Sequence, residues 1–121
     1  MKVQVLDVIP AEIPVILDAK RGDIGTTSDA YATAAFSALR SDAVTVHAYM
    51  GADSVEPFLR DPTRGVFVLC KTSNPSSSEV QTLPLAAAVS IDDVHPRTVF
   101  EATALLARRW NRDSRHPNSV G

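Results

Sequence analysis

Acidic and basic residues gather where a run of apolar residues ends. The stretch PVILDAKRGDIGTT covers residues 14–27 and places Asp18 directly after three apolar residues, with Lys20 two positions further on and then Asp23 close to two glycines. Residues i and i+2 of a strand point to the same face, so Asp18 and Lys20 are predicted to share one face. A charged group is costly to bury unless it is paired. The pattern therefore indicates either a structural ion pair or part of an active site.

Three apolar segments are predicted to form parallel strands that would hold these residues in place. They lie near residues 14–19, 43–47 and 66–70, and each is rich in Val, Ile or Leu. The segments show little polar alternation, which is typical of strands covered on both faces. Because the carboxyl ends of such strands carry the chemistry of β/α folds, Asp18 and Lys20 stand where an active site is expected.

Helical patterns separate and follow the predicted strands, at residues 28–40, 51–59 and 95–111. The first is expected to begin at a capping residue, either Ser28 or Asp29. Repeated alternation of strand and helix predicts an α/β fold with a parallel sheet and right-handed crossovers.

A long excursion, residues 72–95, precedes the last predicted helix. It is too long for a simple connector, and loops of this length are usually functional or disordered. No linker divides the chain, so residues 1–121 are predicted to form one domain.

The composition excludes several classes of protein. The chain has 121 residues, 45% hydrophobic and 21% charged, with a net charge of -2 and scattered Lys and Arg residues. No nucleic-acid partner is expected from that balance, and no apolar run approaches the roughly 20 residues of a membrane helix. The single cysteine, Cys70, cannot form an internal disulfide, so we expect a reducing compartment, the cytoplasm, and a thiol packed in a buried strand.

Several motifs in order resemble orotidine 5'-phosphate decarboxylase. They read ILDAKRGDIGTT, AYATAAF, DAVTVHAYMG and VFVLCKTSNPSS, and the first is similar to the branch of the family with DAKRGDIG. The resemblance implies a (β/α)8 barrel, a fold that needs about 250 residues. Residues 1–121 would then be a partial TIM barrel that holds strands three to five, without strands one, two and six to eight. Whether the chain is a fragment, a truncated product or part of a fusion with an orotate phosphoribosyltransferase stays open.

The resemblance also implies a reaction and a set of site residues. The family converts orotidine 5'-phosphate to uridine 5'-phosphate in pyrimidine biosynthesis without a metal or organic cofactor. Lys20 would stabilise a carbanion at C6 of the pyrimidine and protonate it, and Asp18 would hold Lys20 in place beside the substrate carboxylate. Asp23 and Thr27 would reach the site of a neighbouring subunit, which implies a homodimer. Ser73 would bind the pyrimidine edge.

Two other interpretations compete with a decarboxylase. Other barrels of the superfamily keep a D-x-K-x-x-D strand but act on sugar phosphates, often with magnesium, although the TSNPSS loop favours a pyrimidine ligand. The second interpretation is that the chain is a non-catalytic fragment of half a barrel. His47 is expected to lie near the site without a catalytic role, and His95 and His116 lack the sequence spacing of a metal pair.

Overall fold

Three parallel strands form one sheet in the part of the chain that the structure, a computed structural model, describes, which is residues 5–114. The strands are β1 (Ile16–Arg21), β2 (Ala43–His47) and β3 (Gly65–Leu69), and they lie side by side in that order. The predicted parallel α/β sheet is confirmed. β1 begins and ends two residues later than predicted, and β3 begins and ends one residue earlier.

Helices follow each strand, as the alternating pattern predicts. They are α1 (Gly25–Thr33), which continues into a π-helical turn (Ala34–Ala38), α2 (Ala52–Leu59) and α3 (Val99–Asp113). The last begins four residues later than predicted and ends two residues later. Within residues 5–114, no helix combines the length and the apolar character needed to cross a membrane.

The start of α1 differs from the prediction, because Ser28 and Asp29 lie inside the helix and Ile24 occupies its N-cap. Ser28 is fully buried, and its hydroxyl donates a hydrogen bond of 2.6 Å to the carbonyl oxygen of Ser54 in α2. Asp29 forms an ion pair with Arg60 at the end of α2. Both side chains therefore join two helices, which explains why residues typical of caps occur within this one.

The hydrophobic core lies between the sheet and the helices. Strands β2 and β3 contribute alternate valines to it, and the rings of Phe36 and Phe58 meet edge to face with their centroids 6.4 Å apart. Leu17 and Ala19 of β1 pack against its margin. The buried members are Ala32, Ala35, Phe36, Val44, Val46, Val55, Phe58, Val66, Val68, Ala107 and Trp110.

The opposite face of the sheet is open, so within residues 5–114 the expectation that both faces are covered is not met. We call it the open face and define it by Ile16, Asp18, Thr45 and Phe67. Ile16 is 53% exposed and Phe67 is 43% exposed, although both are large apolar residues in strands. The helices cover one side of the sheet, and nothing among residues 5–114 covers the other. Large apolar residues exposed together on one face are typical of a surface that contacts another part of a protein or a ligand.

The amino ends of the strands are joined through Asp42, the residue before β2. Its carboxylate accepts a hydrogen bond of 2.7 Å from the N–H of Val15, and its own N–H donates to the carbonyl oxygen of the same residue. Its carbonyl oxygen accepts from the N–H of Gly65, and Arg64 lies 3.4 Å from the carboxylate. This end of the sheet is therefore occupied by structural contacts, which leaves the carboxyl end for chemistry.

The excursion after β3 is ordered rather than structureless. It contains a 3-10 helix (Pro75–Glu79), and Asp92 near its end accepts hydrogen bonds from Arg109 and Arg112 of α3. These bonds, that of Arg109 first, hold the pKa of the Asp92 carboxyl below its usual value. The excursion is therefore fastened to the helix that follows it.

The carboxyl end of β1 departs from regular strand geometry. Leu17 pairs with Val44 and Arg21 pairs with Val46, so β1 takes four steps along the chain where β2 takes two. Within this irregularity Lys20 has a φ of 49°, in the left-handed region. For a residue with a Cβ this conformation costs about 1–2 kcal/mol relative to the right-handed one.

Lys20→Gly is therefore expected to be more stable than Lys20→Ala by about 1 kcal/mol, the reverse of the usual order of these two residues. Both variants lose the ammonium, so the comparison isolates the backbone strain. Urea unfolding of the two variants, each made within a complete barrel that contains residues 1–121, measures the difference. As a control, Ala104→Gly on the exposed side of α3 should lower the free energy of unfolding by about 1 kcal/mol. A Lys20→Ala variant more stable than Lys20→Gly would contradict the strain.

Candidate active site

An ion pair stands on the open face at the carboxyl end of β1. One carboxylate oxygen of Asp18, Oδ1, lies 2.7 Å from Nζ of Lys20. The same oxygen accepts a hydrogen bond of 2.9 Å from the hydroxyl of Thr45 in β2. The prediction that Asp18 and Lys20 share one face is therefore confirmed, while the contribution of Thr45 is new.

The surroundings of Asp18 keep it charged at neutral pH. The hydrogen bond from Lys20, and next that from Thr45, holds the pKa of the Asp18 carboxyl below its usual value. The side chains are 51% exposed for Lys20 and 64% exposed for Asp18, so the ion pair itself stabilises the fold little. That small contribution is present at neutral pH and is lost as the pH falls through the lowered pKa. Stabilisation of the fold therefore does not account for the ion pair, which leaves a role in binding or catalysis to consider.

An ammonium held in this way can act on a ligand above the sheet. It can stabilise negative charge that develops nearby, and it can donate a proton to it. The Asp18 carboxylate holds the ammonium in place and would repel a second carboxylate brought close to it. The arrangement therefore fits a reaction in which negative charge develops close to Nζ of Lys20.

Asp23 and Thr27 lie beyond β1 and are not joined to this pair. Oδ1 of Asp23 accepts a hydrogen bond of 2.8 Å from the N–H of Ile24, just before α1. Thr27 is exposed in the first turn of that helix. Among the described residues, neither side chain forms a hydrogen bond or an ion pair with Asp18 or Lys20.

Ser73 is exposed in the loop that follows β3, at the same carboxyl end of the parallel sheet as Lys20. Its neighbour Thr72 is held on both sides by Gln81, whose Oε1 accepts from the N–H of Thr72 and whose Nε2 donates to its hydroxyl, each at 2.8 Å. The Thr72 hydroxyl also bonds to Oδ1 of Asn74 at 2.6 Å. Gln81 thus fixes the loop that presents Ser73, a role that sequence reasoning missed.

Lys71 is a second cation near the carboxyl end of the sheet. Its Nζ donates a hydrogen bond of 2.9 Å to the carbonyl oxygen of Thr72 and another to the hydroxyl of Ser77, which is buried. The ammonium of Lys71 is thus engaged in shaping the loop, whereas that of Lys20 contacts a carboxylate on the open face. Lys71 follows β3 by two residues, and this position at the carboxyl end of a strand is the sequence feature that could have identified it.

His47 lies near the site, where it packs against the turn that leads to Asp23. A Cβ on Gly22 would lie 2.8 Å from Nδ1 of His47 and closer still to other ring atoms. Within residues 5–114, Nδ1 of His47 is buried and has no hydrogen-bond partner. Gly22 is therefore required for the end of β2 to approach this turn.

The remaining candidate ligands do not form a metal site in the part of the chain described. No group of three or more His, Cys, Asp or Glu side chains comes together among residues 5–114, and His116 lies outside them. Cys70 lies one residue past β3 and is half-buried, rather than buried within a strand. Its burial raises the pKa of the thiol, which disfavours the reactive thiolate.

Comparison with known proteins places this geometry in a family. The family described as "Orotidine 5'-phosphate decarboxylase / HUMPS family" matches residues 4–98. The orotidine 5'-phosphate decarboxylase of Roseiflexus sp. is 54% identical over 99 residues, which are 81% of this chain and 34% of that protein. That of Thermomicrobium roseum is 51% identical over 106 residues, or 88% of this chain and 35% of that protein. The chain thus spans about a third of the length of these relatives.

Solved structures agree with the sequence relatives. The OMP decarboxylase of Leishmania donovani superposes with a TM-score of 0.83 at 46% identity, covering 99% of this chain and 43% of that one. The UMP synthase of Leishmania donovani gives a TM-score of 0.81 at 44% identity and is covered over 24% of its length. The fold is part of a TIM barrel, as predicted, and the open face is the one that such a barrel turns inward. The chain belongs to the orotidine 5'-phosphate decarboxylase / HUMPS family.

Proposed function

We propose that this chain forms strands three to five of an orotidine 5'-phosphate decarboxylase, which converts orotidine 5'-phosphate to uridine 5'-phosphate in pyrimidine biosynthesis. The observation that carries the proposal is the Asp18–Lys20 pair at the carboxyl end of β1. It lies within the region that matches the family and on the face that a barrel turns toward its interior.

The chemistry follows from where the ammonium is held. The bond between C6 and the carboxylate carbon breaks, CO₂ leaves, and the electron pair of that bond remains on C6. Lys20 stabilises this carbanion electrostatically and then transfers a proton from Nζ to C6. The neutral amine then takes up a proton from solvent, with the Asp18 carboxylate 2.7 Å from Nζ to hold it in place.

Substrate contacts and assembly belong to the same proposal. Ser73 binds the pyrimidine edge from the loop that Gln81 holds, and Asp23 and Thr27 reach the active site of a second subunit in a homodimer. The exposure of Thr27 and the absence of contacts between Asp23 and the Asp18–Lys20 pair within the described residues support that role. We also propose a cytoplasmic location, because the free thiol of Cys70 suits a reducing compartment.

The competing activity is that of a sugar-phosphate enzyme in the same superfamily. The family description names HUMPS beside the decarboxylase, while the two relatives above carry the decarboxylase name. Release of CO₂ from orotidine 5'-phosphate, measured with and without EDTA, separates the two. The assay uses a barrel-length protein, meaning residues 1–121 within a complete barrel. Turnover that EDTA leaves unchanged is the expected result, and no CO₂ release would refute the proposal.

Replacement of Lys20 provides the sharpest test of its role. In the barrel-length protein, Lys20→Ala should lower kcat about 10³-fold or more, because charge stabilisation and proton donation are lost together. Arg108→Ala is a matched control, since it removes one exposed positive charge from α3, away from the site, and should leave kcat unchanged. A Lys20→Ala enzyme that keeps a tenth of the activity would exclude the role.

Lys20→Arg tests which property of the cation matters. The planar guanidinium retains its proton far above neutral pH and spreads its charge, so we expect no rescue of kcat. Circular dichroism of both Lys20 variants should match the wild type, which separates loss of chemistry from loss of fold. Activity of Lys20→Arg near the wild-type value would show that a positive charge alone suffices and that Lys20 is not the proton donor.

Residues 1–121 by themselves are expected to be inactive and to self-associate. Both outer strands of the sheet, β1 and β3, have an unpaired edge within the described residues, and the open face exposes Ile16 and Phe67. A chain that spans about a third of its relatives' length also offers the substrate fewer contacts, so we expect it to lose binding energy that positions the pyrimidine. Light scattering and CO₂ release measured on one sample check both parts. Efficient turnover by a monodisperse 13.0 kDa monomer would contradict both.

A further inference from the structure

We propose that Thr45 is a positioning residue for Lys20, and that its hydroxyl holds the ammonium in the orientation that the reaction needs. The catalytic part of this inference rests on the proposed function, whereas the structural part does not. Thr45 lies at the centre of β2, flanked by β1 and β3, and its side chain is on the open face beside Asp18.

The hydroxyl of Thr45 makes two hydrogen bonds of opposite direction. Its oxygen accepts a bond of 3.0 Å from the backbone N–H of Lys20. A hydroxyl has one proton to give, and here it is donated to Oδ1 of Asp18 at 2.9 Å. Oδ1 of Asp18 also accepts a hydrogen bond of 2.7 Å from Nζ of Lys20. The three hydrogen bonds therefore form a closed circuit that connects the backbone N–H of Lys20 to its own ammonium. The circuit fixes Lys20 at both ends.

The backbone of Lys20 depends on this support. Its φ of 49° is strained for a residue with a Cβ, and it lies within the irregular pairing of β1 with β2. At this point the Lys20 N–H donates to a side-chain oxygen, that of the Thr45 hydroxyl. Loss of the hydroxyl would leave this N–H without its partner and would allow the backbone to relax from the left-handed region.

The position of Thr45 makes it a rigid support. It is half-buried, and in the register of the sheet it stands opposite Phe67 of β3. A β-branched residue in a central strand has little freedom in χ1, so the hydroxyl direction is defined by the strand rather than by a flexible side chain. Valine has the same shape without the hydroxyl, and serine keeps the hydroxyl without the second branch. These two substitutions separate hydrogen bonding from packing.

The test compares Thr45→Val and Thr45→Ser in the barrel-length protein. Thr45→Val should lower kcat about 100-fold, the loss expected when a reacting group is displaced by about 1 Å, while KM changes less than threefold. Thr45→Ser should stay within fivefold of the wild type. If Thr45→Val does not fold, Thr45→Ala removes the same hydroxyl from a half-buried position and gives the same comparison.

Crystal structures of the wild-type and Thr45→Val proteins provide a readout that does not need activity. We expect the variant to lose the positive φ of Lys20 or to move Nζ away from Asp18 by more than 1 Å, the displacement that the kinetic loss implies. An unchanged Lys20 in the variant, a kcat within twofold of wild type, or a Thr45→Ser enzyme as slow as Thr45→Val would overturn the inference. If the wild type lacks decarboxylase activity, the proposed function fails while the crystal structures still decide the positioning.

Discussion

The alternation of side chains along β2 and β3 is the constraint on which the site depends. Two valines on each of these strands are buried against the helices, and together they fix which face of the sheet meets the core. Successive residues of a strand point to opposite faces, so the intervening Thr45 and Phe67 must lie on the open face. Parallel pairing of β1 with β2 then brings Asp18 to the same face. The charged pair is thus placed by the packing of residues that it never touches.

The backbone of Lys20 departs from this regular strand geometry, and the departure affects where its ammonium lies. A strict strand would end with Lys20 at an ordinary negative φ, but the irregular pairing turns its backbone into the left-handed region. Strain of this kind persists only where surrounding contacts determine it, and it is often found at functional sites. Here the contacts are the Thr45 hydroxyl and the Asp18 carboxylate. The ammonium is therefore positioned by hydrogen bonds that offset the cost of an unfavourable backbone.

Sequence patterns predicted the features that depend on neighbouring residues. Apolar runs identified the three strands, and spacing of two residues predicted the Asp18–Lys20 pair. Contacts between strands could not be read in the same way, because the bond between Lys20 and Thr45 joins residues 25 apart and depends on the register. The prediction that Ser28 could cap the helix was wrong for a related reason. A hydroxyl suited to an N-cap is equally suited to a buried hydrogen bond with a second helix. The parts of the site that need tertiary pairing therefore had to come from the structure.

The open face also gives a physical reason to expect that the charged pair acts only within a complete barrel. Two unit charges about 4 Å apart interact by ~1 kcal/mol in water but by ~4 kcal/mol at an effective dielectric constant of about 20, a value that also describes buried sites in proteins. The side chain of Lys20 is 51% exposed on the open face, so water would screen its effect on a carbanion. Strands that close the barrel, together with bound substrate, would remove that water without moving the ammonium. The same residues would thus form a weak ion pair on an open sheet, whereas in a closed barrel the ammonium would interact strongly with developing negative charge.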